Sequence, residues 1–385
     1  MSVKIASIET FLLSDRLEET FYFSQWAYSE RRICVVKVTT DCGTVGWGEG
    51  YGPADVLAAG INLLKPLLIG RNPIEQETLW FEMYRKTLDY ARRGVLVASI
   101  SALDIALWDI KGKLLNQPVS ALLGGRHRRR IKPYATGLYF SDGDNLAGRL
   151  AREAVGYVEQ GFQAIKMKVG LSLRQDMENV RAVRQAIGPD TRLMVDANHA
   201  YSLREAAELC QKIERFDIGW FEEPVSPEQY NHYRDLRCKT SIPISGGECE
   251  YLRFGHHQLL KNECVDILQI DICSAGGLTE AKRVAALAAT YGVEIVPHTW
   301  GTGIAFHTAL HFIANLEPTP GRLFPPDCYI EYDRTSNGIR ERLTLPAISM
   351  CNGFIAVPEG PGLGIEVDED ILNHYAQPKK TGISV

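Results

Sequence analysis

Six ionisable residues recur between positions 168 and 298 at a nearly constant interval. Lys168, Asp196, Glu222, Glu248, Asp271 and His298 are separated by 28, 26, 26, 23 and 27 residues. Each sits at or near the end of a short apolar run: "AIKMKVG", "RLMVDAN", "IGWFEEP", "IPISGGE", "VDILQID" and "VEIVPHT". Asp196, Glu222 and Glu248 occupy three consecutive runs. Three carboxylates pointing into one low-dielectric mouth repel strongly unless a cation sits among them. Hard oxygen donors in that number suit Mg²⁺, which keeps positions for water or substrate. Cysteine and histidine are absent from these three positions, which argues against Zn²⁺. Glu223 follows Glu222, and strand alternation allows only one of them to face inward. The 26-residue interval selects Glu222.

Two further pairs frame the trio. Lys166 and Lys168 lie two apart on one run and share a face if that run is a strand. A cationic neighbour is a recognised way to lower a lysine pKa, so Lys168, nearer the end of the run, is a candidate base. Lys166, one layer deeper, would tune it. Asp271 and His298 come from the next two runs. An aspartate on one imidazole nitrogen fixes the tautomer and stabilises the imidazolium, which makes His298 a second acid or base. Glu331, in "YIEYDR", completes the set; a carboxyl kept protonated there would donate to an oxyanion. A cation with bases on two sides suits removal of a proton α to a carboxylate. Reprotonation (racemisation) or loss of a β-substituent (elimination) then follows.

The elements that must position these residues follow from the interval. Repeated βα units of this length predict a parallel sheet covered by helices, and six strand ends converge on one mouth only if the sheet closes. A (β/α) barrel is therefore expected over residues 128–350. Residues 1–127 read differently. "VKIASIETFLL" and the two β runs around the Asp-Cys-Gly turn of "RICVVKVTTDCGTVGWGEG" predict strands, and "VLAAGINLLKPLLIG" and "VASISALDIALWDIKGKLL" predict helices. A run of strands followed by a run of helices is an α+β unit. The basic stretch "GGRHRRRIK" at 124–132 reads as an interdomain linker.

The chain has 385 residues, 42 basic against 47 acidic, 45% hydrophobic and 23% charged. Such a balance gives no support for a polyanion-binding surface, so no nucleic acid is expected. No apolar run approaches the roughly 18 residues of a membrane span. The nine cysteines form no C-x-x-C pair, and "MSVKIASIETFLL" lacks a secretory pattern; both favour a cytoplasmic protein.

On these residues the chain resembles the enolase superfamily, mandelate racemase subgroup, along nearly its whole length. The resemblance rests on K-x-K at 166–168, the Asp196/Glu222/Glu248 trio, Asn198 two after the first ligand, the Asp271–His298 pair and Glu331. The muconate-lactonising subgroup carries a lysine shortly after the sixth-strand aspartate, whereas "DICSAGG" has Ser274 in that region. The resemblance implies a modified TIM barrel whose mouth is closed by the N-terminal α+β capping domain, with residues 351–385 returning to complete that cap. It also implies Mg²⁺ and a homo-oligomer. Specificity loops would correspond to "FYFSQWAYSERR" (21–32) and "EGYGPAD" (49–55), with Asn198, Trp26 and Trp300 as candidates for touching the substrate. The phrases "DANH", "WGTG", "DRT" and "GPGLGIE" are similar to those of galactarolactone cycloisomerases and acid-sugar dehydratases. The expected reaction is α-proton abstraction from a sugar acid or its lactone, with a racemase or epimerase as the alternative. An alternative of another class is a non-catalytic barrel that binds metal and sugar acid.

Overall fold

The computed structural model describes residues 3–318 and 320–377. An antiparallel three-stranded sheet opens the chain: β1 (Ile5–Phe23), β2 (Trp26–Thr40) and β3 (Val45–Gly50). Helices α1 (Ala54–Leu68), α2 (Gln76–Thr87) and α3 (Val95–Leu115) follow, then a single turn α4 (Val119–Leu122). The α+β expectation for this unit is borne out. Strand β3 shows how tightly its layers pack. In "VGWGEG" the glycines alternate, and a Cβ on Gly46 or Gly48 would lie 2.2 or 1.9 Å from the carbonyl oxygen of Ala106 or Ala102. Helix α3 thus lies directly on the strand, on its small residues. The opposite face of β3 carries Trp47 and Glu49, as the two-residue strand period requires.

Eight parallel strands make up the second part. They are β4 (Arg130–Thr136), β5 (Ala164–Lys168), β6 (Arg192–Asp196), β7 (Ile218–Glu222), β8 (Ile244–Gly246), β9 (Ile267–Leu268), β10 (Glu294–Ile295) and β11 (Tyr329–Asp333). Helices α5 (Leu146–Glu159), α6 (Leu173–Ile187), α7 (Leu203–Ile213), α8 (Tyr230–Arg237), α9 (Leu252–Lys261), α10 (Gly277–Tyr291) and α11 (Gly303–Asn315) connect them. The spatial order is β10-β9-β8-β7-β6-β5-β4-β11. Between β10 and β11 a side chain spans the gap, for the Thr299 amide donates to Glu331 at 3.0 Å. Buried Tyr134, Met194, Trp220 and Val296 fill the barrel interior, and a larger cluster lies between strands and helices. The fold is the expected barrel with a capping unit.

After α12 (Gly338–Arg342), the short β12 (Thr344–Leu345), β13 (Ile355–Ala356) and β14 (Glu366–Val367) lead to α13 (Glu369–Tyr375). Strand β13 pairs with β4, while Leu13 bridges Ala376 and Lys37 reaches Glu369 at 2.5 Å. The final segment therefore touches both units. Residues 124–132 are more than a solvated linker. The Arg128 guanidinium donates to the carbonyls of Ile313 and Leu316 at 2.8 and 2.7 Å, satisfying the C-terminal end of α11. Among the described residues no helix is long and apolar enough to cross a membrane.

Candidate active site

All six residues of the interval, with Lys166 and Glu331, meet at the C-terminal ends of the strands. Lys166 is 1% exposed. Its ammonium touches Glu222, lies 2.9 Å from Glu331 and 3.5 Å from Asp196. Lys168 donates to Asp196 at 2.5 Å and to the Asn198 carbonyl oxygen at 2.7 Å. His298 sits five strands away in the spatial order. Its Nδ1 contacts Asp271 at 2.6 Å, and its Nε2 faces Glu248 at 3.7 Å. The arc of Asp196, Glu222 and Glu248 on β6, β7 and after β8 lies between Lys168 and His298.

Electrostatics bear on the expected charges of Lys166 and Glu331. Burial alone would drive the proton off Lys166, but Glu222, Glu331, Tyr134 and Asp196 outweigh it and hold the ammonium well above the usual lysine range. The lysine pair is therefore tolerated because the carboxylates compensate it, and Lys166 is a fixed cation in this arrangement. Glu331 is not a protonated donor. Burial opposes its ionisation, yet Lys166, His298 and the Thr136 hydroxyl hold its carboxyl at about 2, so it accepts from Thr136, Thr299 and Lys166. His298 is subject to opposing influences. Burial opposes the charge, but Glu248 and the hydrogen bond to Asp271 raise its pKa to about 10.

Glu222 and Glu223 bear on the expected strand alternation. Strand alternation predicts that one faces away, but Glu223 has φ 42°, in the left-handed region, and both carboxylates are buried. Glu222 accepts from the Trp220 indole at 2.9 Å and from Gln269 at 2.5 Å. Burial, with Asp196, Glu331 and Glu248 as like-charged neighbours, pushes it up to about 8. Asp196 moves the other way. Burial opposes this, but Lys168 and Lys166 hold it below the ordinary range.

The carboxylate trio does not bring one oxygen from each residue within 4.8 Å of the others. The donor set nonetheless fits a hard divalent cation. Three carboxylates stand on consecutive strand ends, Glu248 accepts no hydrogen bond among the described residues, and the crowding that raises Glu222 is what such an ion relieves.

The capping unit forms the roof. The expected specificity loop at 21–32 is a strand ribbon in which Phe21 pairs with Tyr28 and Phe23 with Trp26. Tyr22 and Phe140 exchange backbone hydrogen bonds of 2.7 and 2.9 Å, tying the ribbon to the loop after β4. Phe21, Phe23, Tyr28, Tyr139 and Trp300 form one aromatic cluster. The Lys168 ammonium lies 5.1 Å from the Phe23 ring and 5.2 Å from that of Tyr139. Trp300 belongs to this cluster; Trp26 does not, being 60% exposed at the ribbon turn. Asn198 orients Lys168 and also donates to Glu223 at 3.4 Å. The sequence reading missed Arg31, which stacks on Trp300 at 4.3 Å and pairs with Asp333 at 3.0 Å. Its Nε and Nη1 are buried without a partner, as is the Tyr139 hydroxyl.

Residues 149–371 match the family described as enolase C-terminal domain-like, and residues 7–124 match the mandelate racemase / muconate lactonizing enzyme N-terminal domain. The chain is 54% identical to a crystallised 3,6-anhydro-D-galactonate cycloisomerase from Zobellia galactanivorans, covering 97% of this chain and 100% of that one at a TM-score of 0.89. It is 42% identical to D-galactarolactone cycloisomerase of Agrobacterium fabrum over 98% of this chain and 100% of that one. It is 34% identical to arabinonate dehydratase of Saccharolobus solfataricus over 89% and 90% of the two chains.

Proposed function

The chain belongs to the mandelate racemase / muconate lactonizing enzyme family of the enolase superfamily, and from that membership we propose that it is a Mg²⁺-dependent cycloisomerase of a cyclic sugar acid. Its preferred substrate is an anhydro-aldonate, with an aldarolactone as the neighbouring choice. Identity over nearly the full length to two cycloisomerases supports this reading, and it is greater toward the anhydro-galactonate enzyme. In both substrate classes a ring oxygen sits on the carbon β to a carboxylate. Elimination therefore opens the ring without losing an atom, and the product is an isomer.

Asp196, Glu222 and Glu248 would hold the cation. When bound, it supplies a positive charge that stabilises the developing negative charge on the substrate carboxylate. The chain's own groups do the rest. Lys168 Nζ, in its neutral amine form, takes the proton from the α-carbon and becomes the ammonium, and the C–H electron pair becomes a C=C bond as the β C–O bond breaks. The departing ring oxygen takes a proton from His298 Nε2, which Asp271 and Glu248 keep charged. The enol product then ketonises to a 2-keto-3-deoxy acid. Lys166 holds positive charge beside Glu222 and Glu331, where a substrate carboxylate also needs it. The aromatic roof excludes water from the enediolate and offers flat faces to the C–H surface of a ring.

The observation that carries the reading is the separation of Lys168 on β5 from the Asp271-bound His298 after β10, with the carboxylate arc between them, because elimination needs a base and an acid at separate positions. The test is proton NMR in D₂O with Mg²⁺ on a panel of anhydro-aldonates and aldarolactones. Ring opening with loss of the α-proton signal is expected. Solvent exchange without ring opening would replace the reading by a racemase or epimerase, and metal-dependent binding with neither would replace it by a non-catalytic barrel.

A further inference from the structure

We propose that the protein carries a second cation site, formed by His199, Glu223 and Cys249, which takes a borderline-soft divalent ion such as Zn²⁺ and discriminates against Mg²⁺. One ligand atom from each residue lies within 4.8 Å of the other two, the one such group among the described residues. His199 Nε2 is 3.1 Å from Glu223 Oε2 and 3.5 Å from Cys249 Sγ. Zn²⁺ at about 2.0–2.3 Å from nitrogen, oxygen and sulfur in a tetrahedral shell sets neighbouring ligands roughly 3.3–3.6 Å apart. Both distances from His199 are thus close to tetrahedral edges, the Glu223–Cys249 edge lies within 4.8 Å, and the fourth position is left for water.

Backbone geometry supports a built site. His199 has φ 69°, Asn198 φ 40° and Glu223 φ 42°. Left-handed backbone at residues other than glycine costs energy and is kept where a side chain must be aimed. These turns set His199, Glu223 and Cys249 beyond the same three strand ends that carry Asp196, Glu222 and Glu248. Glu223 is buried, while the His199 side chain is 18% exposed, which leaves a path from solvent. His199 Nδ1 is buried and has no partner, so the imidazole is committed only through the nitrogen that faces the carboxylate and the thiol. Nitrogen, sulfur and one carboxylate are the donors of a zinc shell, whereas Mg²⁺ requires oxygen. Binding would release the thiol proton to solvent.

Occupancy also has a consequence for the neighbouring base. Glu223 accepts from the Asn198 amide, whose oxygen holds Lys168. Drawing Glu223 onto an ion removes that acceptor from Asn198.

The test uses the tag-free full chain in Mg²⁺ buffer, titrated with Zn²⁺ and read by metal analysis after desalting and by zinc X-ray absorption. One retained zinc per chain with a sulfur neighbour at about 2.3 Å is expected, lost in Cys249→Ser and reduced at least tenfold in affinity in His199→Gln. Zn²⁺ should slow Mg²⁺-supported turnover of the wild type and spare Cys249→Ser. An all-oxygen shell, zinc retention unchanged in both variants, or equal inhibition of wild type and Cys249→Ser would overturn the proposal and put the ion on the Asp196 trio.

Discussion

Asp196, Glu222 and Glu331 at the barrel mouth and Glu49 and Asp104 at the seam beneath the capping unit are all buried carboxylates, but their environments neutralise them differently. In the mouth the partners are ammonium groups. Two lysines serve three acids, so the groups titrate against one another and the balance can shift when substrate or a cation enters. At the seam the partners are neutral. Glu49 accepts from the Thr302 amide at 3.0 Å, its hydroxyl at 2.6 Å and the Ala305 amide at 3.3 Å, which closes the N-terminus of α11. Asp104 accepts from the Thr279 amide and hydroxyl at 2.9 and 2.6 Å at the first turn of α10. Helix N-termini present unpaired amides and partial positive charge, and a carboxylate there is held by geometry. Burial dominates both seam acids and pushes each up to about 7. Paired charges suit chemistry, while fixed dipoles suit docking.

The largest effect that can break this distinction is kinetic. His298→Asn and Lys168→Ala should each lower kcat by about 10²–10⁴-fold, the usual worth of a positioned acid or base. Thermal unfolding of His298→Asn should stay within about 1 kcal/mol of wild type, because the amide can keep a hydrogen bond to Asp271. A variant that retains turnover, or that unfolds before it can be assayed, would show the mouth residues to be structural. The two should also differ from each other. His298→Asn should still exchange the α-proton in D₂O without opening the ring, and Lys168→Ala should do neither.

Next is the pH dependence of the seam. The folded Asp104 carboxyl lies at about 7 against an ordinary 3.8. Below about 4 it is neutral in both folded and unfolded chains and costs nothing. As pH rises toward 7 the unfolded chain ionises first, so the Asp104 contribution to stability falls across that window and is flat above it. Asp104→Asn stays neutral throughout and should gain on wild type as pH rises, by at most roughly 4 kcal/mol for a shift of this size. Denaturant midpoints at pH 4.5 and pH 8 check it. A constant difference between the two proteins would mean Asp104 is charged in the folded state and behaves like the mouth acids.

Glu49→Ala comes third. It strips the donors of Thr302 and Ala305 of their acceptor and should cost about 1–3 kcal/mol of stability, the range for leaving buried hydrogen-bonding groups unsatisfied. Turnover measured well below the transition should fall less than in the His298 variant. The reverse order would move Glu49 from the seam into the catalytic set.

What could be read from the sequence divides along the same line. The mouth was legible because a barrel converts a constant interval along the chain into a ring in space, so Lys168 through His298 announce themselves by spacing. The seam was not. Glu49 meets Thr302 and Asp104 meets Thr279 across separations of 253 and 175 residues, and no local pattern links them. The alternating glycines of β3 were the available signal, for they fix which face Glu49 occupies. Glu223 was misread because alternation holds only while the strand does, and its left-handed backbone ends the strand. The charge on Glu331 was misread for a different reason. The sequence shows which groups share a mouth, but the sign of a pKa shift depends on which of them are in contact.

The smallest effect concerns where seam gives way to mouth. Phe23 and Trp26 face each other in register across the two-residue turn of the ribbon, yet they differ in surroundings. Phe23 packs 6.1 Å from Tyr139 and lies 5.1 Å from the Lys168 ammonium, while Trp26 is 60% exposed. Phe23→Ala should raise KM about tenfold, because an aromatic face over a cation and a substrate ring contributes about 1–2 kcal/mol. Trp26→Ala should change KM by less than about twofold, since an exposed side chain makes few contacts to lose. If Trp26→Ala proves the more damaging of the two, the ribbon must fold inward when substrate binds, bringing its turn over the ring. The roof would then be a moving part of the mouth, and the fixed, dipole-held seam would end at the backbone pair between Tyr22 and Phe140.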